Sequence, residues 1–164
     1  MKFTLKWLRE YLDFNCSLDK LESSLTNLGL EVESINNPYQ KLKDFKVCIV
    51  KKIQKHPNAD KLKVCDVNIG ENKILKVVCG APNAREGLVT IYAPPGATIP
   101  KNKLLLKVAK IRGVESKGML CSESELNLSS ETDGIIELKN KEKDIGKNYF
   151  KSKSEKIIDI AITP

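Results

Sequence analysis

Over the first forty residues the apolar side chains recur every three or four positions, and from Phe45 onward they alternate. Leu18, Leu21, Leu25 and Leu28 fall on one face of a helix, with Ser17 placed to cap its first turn and Gly29 to stop it. Thr4 stands in the same relation to the run Leu5 to Leu12. These positions predict a helical hairpin whose apolar stripe serves packing.

Beyond it, Phe45, Val47 and Ile49 alternate, as do Cys65, Val67 and Ile69, and then Leu75, Val77 and Cys79. The runs 88–92 and 104–111 are also β-rich, and Ile135 to Leu138 could close a sheet after the turn signal Asp133-Gly134. Gly70-Glu71-Asn72 separates two runs at hairpin distance, and Pro94-Pro95-Gly96 breaks another. Five or six short strands, with no helix long enough for a parallel crossover, predict a small closed or nearly closed barrel over residues 41–150. An OB-type barrel, an SH3-like barrel and a small sandwich share this pattern. Residues 139–156 are polar and mixed in charge; the barrel is taken to end at 150 and a linker to span 151–156. Residues 157–164 read as a strand that needs a partner sheet.

Charge changes this picture more than composition does. The net charge is +7, yet residues 41–122 hold seventeen Lys/Arg against six Asp/Glu, and the segments on either side are each net −2. A field so confined attracts a polyanion. A lipid surface would require a basic amphipathic helix, and this segment reads as strands, so no membrane partner is expected. Five cysteines, Cys16, Cys48, Cys65, Cys79 and Cys121, lack paired spacing and have one histidine, His56, for company, so neither a metal site nor a disulfide is expected. Reduced thiols point to the cytoplasm. No phosphate-cradling glycine loop and no nucleophile elbow is present, and His56 before Pro57 reads as an exposed turn residue. No catalytic residue is expected in this chain.

Three segments, His56 to Cys65, Val78 to Arg85 and Lys110 to Ser122, concentrate groups that bond phosphate and ribose, and the motifs HPNADKL, VVCGAPN and RGVESKGMLCS run through them. Together, and in this order, they resemble the tRNA-binding domain shared by several aminoacyl-tRNA synthetases and their cofactor proteins. The start MKFTLKWLREYLD, the helical segment ending LGLEVE, the later DGIIEL and the final ITP extend the resemblance to all 164 residues, and it is then to the N-terminal region of bacterial phenylalanyl-tRNA synthetase beta subunits.

That resemblance implies a mainly β chain with some α: a five-stranded OB-type barrel inserted into a small α/β N-terminal unit, made of residues 1–40 and completed by 157–164. It implies tRNA, specifically phenylalanine tRNA, as partner, and an alpha subunit in an α2β2 tetramer for the longer protein. Ligation with ATP and magnesium would belong to the whole enzyme, with no cofactor in this part. The expected RNA-binding residues are Lys61, Lys63, Asn83, Arg85, Lys110, Arg112, Ser116, Lys117 and Ser122, of which Asn83 and Ser116 could instead brace turns. The alternative is a structural or subunit-contact module with little RNA affinity. Phe45 and Tyr92 are the only aromatics between residues 41 and 122, which favours phosphate and ribose contacts over base stacking.

Overall fold

A computed structural model describes residues 1–130, 133–151 and 155–161. The chain divides into two compact units, one of Met1–Gln40 with Ser152–Pro164 and the other of Lys41–Lys151.

In the first unit, β1 (Lys2–Thr4), α1 (Leu5–Tyr11), α2 (Leu18–Asn27) and β2 (Val32–Asn36) follow one another. Both helices start on hydroxyl caps: Thr4 Oγ1 accepts the Trp7 N–H at 3.1 Å, and Ser17 Oγ the Lys20 N–H at 3.3 Å. Gly29, at φ +86°, ends α2, after which the Leu30 N–H returns to the Leu25 carbonyl at 2.9 Å. The expected all-helical start is corrected by the two strands that flank the helices. Val32, Ile35, Ile157, Ile158 and Ile160 are β-branched and suit a sheet. The strand near the C-terminus lies between β1 and β2, antiparallel to both, with Ile158 opposite Phe3 on one side and Ile35 on the other. Its side chains Ile158 and Ile160 are buried. Residues 162–164 of the predicted strand, and 152–154 of the predicted linker, lie outside the described residues.

The second unit is built on β3 (Lys46–His56), β4 (Ala59–Asn68), β5 (Ile74–Cys79), β6 (Val89–Ala93), β7 (Ala109–Ile111), β8 (Val114–Ser116) and β9 (Met119–Leu120). The strand near the C-terminus of the first unit is β10 (Ile157–Ile160). Five of these strands form one sheet in the order β5-β4-β3-β6-β9, while β7 and β8 make a separate hairpin. The long β3 serves two neighbours: Val47 pairs with Ile91 of β6, and Ile53 with Cys65 of β4. A register shift between Val50 and Lys52 bends it between the two, as bulges do. Glu71 and Asn72, both at positive φ, make the two-residue turn from β4 to β5.

The expected closure is met only in part. No ladder joins the edge strands β5 and β9 among the described residues. The Lys117 N–H reaches the Lys76 carbonyl at 2.9 Å, and Ser116 Oγ takes the Val78 N–H at 3.0 Å. β9 is two residues long, and Gly118 turns the chain just before it, so no longer ladder can form. Two predicted strands also shorten. In 104–111 only Ala109–Ile111 is a strand, and Leu104 and Leu105 are exposed. Ile135 to Leu138 forms no strand, although the Ile136 N–H bonds the Cys121 carbonyl and the Leu138 N–H the Val89 carbonyl.

Cys48, Val50, Cys65, Val67, Val77, Cys79 and Leu120 fill the interior of this sheet. Four cysteines are thus core side chains and Cys16 is exposed. Burial pushes the Cys65 thiol up to about 12 and the Cys121 thiol well above its ordinary value. At Gly118 an added Cβ would fall 2.4 Å from the Ala93 carbonyl oxygen and 2.6 Å from the Tyr92 ring. Tyr92 lies there because its hydroxyl donates to the Lys117 carbonyl at 2.6 Å.

Candidate nucleic-acid interface

The three motif segments come together through hydrogen bonds, and those bonds consume many of their polar groups. The turn after β3 clamps the tip of the β7–β8 hairpin. His56, 5% exposed, holds the Ile111 carbonyl through Nε2 at 2.9 Å, and its Nδ1 accepts the Asn58 N–H at 3.1 Å. That acceptor role places the proton on Nε2. Asn58 Nδ2 donates to the Arg112 carbonyl at 2.9 Å. The expectation of an exposed His56 is therefore corrected: its partner is 55 residues away, and the pairing buries the ring.

The loop after β5 is braced as firmly. Asn83 donates to the Ile135 carbonyl at 2.8 Å, accepts the Ile135 N–H at 3.0 Å, and reaches Glu137 at 3.1 Å. Arg85 meets both oxygens of Glu137 at 2.7 Å, and the Arg85 guanidinium, with the Asn83 amide beside it, pulls that carboxyl down to about 2. Lys63 turns its ammonium onto the Pro82 carbonyl at 3.1 Å and the Ala84 carbonyl at 2.8 Å. Ser116, 3% exposed, accepts from Val78 and donates to the Gly118 carbonyl. Ser122, 9% exposed, donates its hydroxyl to Glu125 at 2.8 Å.

The expected interface thus divides. Lys63, Asn83, Arg85, Ser116 and Ser122 are engaged within the protein. Lys61, Lys110 and Arg112 are exposed, with no ion pair among the described residues. Lys117 is exposed and paired with Glu115 at 3.2 Å, and both side chains are about half in water, so the pair is weak and separable. Lys110 and Glu115 are opposite one another in the hairpin, and Arg112-Gly113 makes its tip with both residues at positive φ. Phe45 and Tyr92 are both buried, which leaves no aromatic of residues 41–122 at the surface for a base to stack on.

Sequence reasoning missed Glu125. Its Oε2 accepts the Ser122 N–H at 2.7 Å, while Ser122 Oγ takes the Glu125 N–H at 3.3 Å. This is the reciprocal pattern of a capping box, and the spacing Ser-x-x-Glu was the available signal. Glu125 lines a cleft of about 450 Å³ together with parts of all three motif segments.

Residues 45–147 match the family described as "Putative tRNA binding domain", and the chain belongs to that family. Over its whole length it is similar to phenylalanine–tRNA ligase beta subunits: that of Ruegeria pomeroyi is 48% identical over 171 residues, and that of Zymomonas mobilis 44% over 166. The beta subunit of Paramagnetospirillum magneticum is 53% identical over 138 residues, which are 84% of this chain and 17% of that protein. The chain spans about a fifth of the length of the first two relatives, 21% of each. No helix among the described residues is long and apolar enough to cross a membrane.

Proposed function

We propose that this chain is the tRNA-binding region of a phenylalanine–tRNA ligase beta subunit, and that the unit Lys41–Lys151 is an OB-type barrel inserted into the unit formed by the two chain ends. The observation that carries the binding role is the β7–β8 hairpin. It presents Lys110, Arg112 and Lys117 to solvent on a support made rigid by His56 and Asn58. Lys61, exposed on β4, is the fourth proposed phosphate contact. Attraction to phosphates supplies the affinity, with ribose and shape contacts rather than stacking, since residues 41–122 expose no aromatic side chain. Lys63, Asn83, Arg85, Ser116 and Ser122 hold the surface in shape instead of touching RNA.

Phenylalanine tRNA is the proposed partner, and the alpha subunit of an α2β2 assembly a second, for the longer protein. Joining phenylalanine to tRNA at the expense of ATP belongs to that longer protein in the cytoplasm, and magnesium goes with that activity. Among the described residues of this chain, no group of three His, Cys, Asp or Glu side chains is disposed to hold a metal ion. A second reading, subunit contact, applies to the first unit. Trp7, Tyr11, Leu12 and Leu28 are exposed there, from 46% to 77%.

Filter binding of bulk tRNA to the 164-residue chain at low and moderate salt tests the binding role. Saturable binding that weakens steeply with salt is expected. No binding at low salt would leave the structural reading in its place.

A further inference from the structure

The cleft beside the hairpin is framed by Leu62, Val78, Ala81, Pro82, Ile111 and Met119. Its volume of about 450 Å³ lies in the range of small-ligand sites, which run from about 300 to 1,000 Å³. Its lining side chains are apolar apart from Ser122 and Glu125, and Gly80 and Gly134 bring main-chain atoms to its surface. Two of the cations without an ion pair among the described residues adjoin it in sequence: Lys61 precedes Leu62, and Arg112 follows Ile111.

Glu125 is only half used by the fold. Its Oε2 accepts both the N–H and the hydroxyl of Ser122, at 2.7 and 2.8 Å. Oε1 has no hydrogen-bond partner among the described residues. A carboxylate offers about four lone-pair sites, so two remain on the second oxygen. An acceptor beside apolar side chains suits a flat ligand with apolar faces and a donor on its edge. A bare phosphate does not fit, because the carboxylate would repel it.

We infer that this cleft takes one unstacked nucleobase carrying an exocyclic amino group, with Glu125 Oε1 accepting from the amine and Lys61 and Arg112 meeting the flanking phosphates. The inference rests on the RNA-binding reading above and adds a base-reading contact to it. Carboxylates read cytosine N4 in this way in nucleic-acid complexes. The apolar side chains of the cleft take the place, for a single base, of the aromatic platform that residues 41–122 do not expose.

Cytidine and uridine monophosphates are the probe, since they share ribose and phosphate and differ at the pyrimidine edge by an amino donor against a carbonyl acceptor. Each is titrated into the 164-residue chain at low salt while the amide signals of Gly80, Ala81, Ser122 and Glu125 are followed by NMR. Cytidine monophosphate should shift these signals and bind about tenfold tighter than the uridine form. In Glu125→Gln the one remaining oxygen is held by Ser122, so the amide NH2 faces the cleft, and the preference should invert toward uridine. Equal response to both nucleotides, or none at these amides while tRNA still binds the chain, overturns the cleft and leaves the RNA reading standing. Failure of tRNA binding as well overturns both.

Discussion

The loop after β5 and the tip of the β7–β8 hairpin are made of the same kinds of side chain and use them in opposite ways. In the loop, Arg85 is held by both oxygens of Glu137, Asn83 by Ile135, and the nearby Lys63 by two carbonyls. At the hairpin tip, Lys110 and Arg112 have no acidic partner among the described residues, and the polar groups that hold the tip come from another segment, His56 and Asn58. The difference teaches that a basic or amide residue in a binding motif is informative only once its partners are known. Cations already paired have little left to give a phosphate. Cations on a braced but unneutralised turn have their full charge to offer.

The largest effect should come from breaking the brace under the hairpin. Gly118→Ala drives a Cβ into the Ala93 carbonyl and the Tyr92 ring at a φ of +108°. A loss of about 3 kcal/mol or more in urea unfolding is expected. A change under about 1 kcal/mol would mean that the turn is free to move.

On the loop side, Asn83→Ala removes the acceptor of the Ile135 N–H and the donor to its carbonyl. A cost of about 2 kcal/mol is expected, with tRNA affinity of the folded protein unchanged. Weaker binding at full folding would move Asn83 to the RNA side of the comparison.

The Arg85–Glu137 pair should show itself in pH dependence. Glu137 titrates at about 2 in the folded chain against 4.5 ordinarily. Its contribution to stability is therefore complete above the ordinary value and is lost as pH falls toward about 2. Both groups are exposed, so the effect on stability is small. An NMR titration of the Glu137 carboxyl in Arg85→Gln should return it to the ordinary range, and an unmoved titration would assign the shift to Asn83 instead.

The smallest effect concerns the tip. Arg112 sits at φ +47°, which costs a side chain more than it costs asparagine or glycine. Arg112→Asn should hold or raise stability by up to about 1 kcal/mol while weakening tRNA binding. A destabilised variant would show that the guanidinium supports the fold.

Much of the local structure was legible in the sequence. Thr4 and Ser17 cap their helices because the hydroxyl and the N–H it serves are three residues apart. The runs through Val47, Val67 and Val77 became strands because alternation is itself a local property. The strands β1 and β2 were hidden, since a strand of three to five residues has too few positions to show a period. The division of the motif residues was hidden for another reason. Arg85 and Glu137 are 52 residues apart, and so are Asn83 and Ile135, while His56 and Ile111 are 55 apart. Nothing near Asn83 in the sequence distinguishes a brace from a ligand contact. Closure was over-read from the number of strand runs: β9 has two residues, pairs with β6, and makes no ladder with β5 among the described residues.

The salt dependence of tRNA binding by three proteins tests the division most directly: the wild-type chain, the triple variant Lys110→Gln, Arg112→Gln, Lys117→Gln, and Arg85→Gln. Removing a cation that meets a phosphate should reduce the slope of log K against log salt by about one unit. The triple variant should fold normally, bind many tRNAs more weakly and show a slope flatter by roughly two to three units, about one for each side chain removed. Arg85→Gln should keep the wild-type slope. A triple variant with the wild-type slope, or an Arg85→Gln variant whose slope flattens by about a unit, would contradict the division of the motif residues into phosphate-binding and bracing groups.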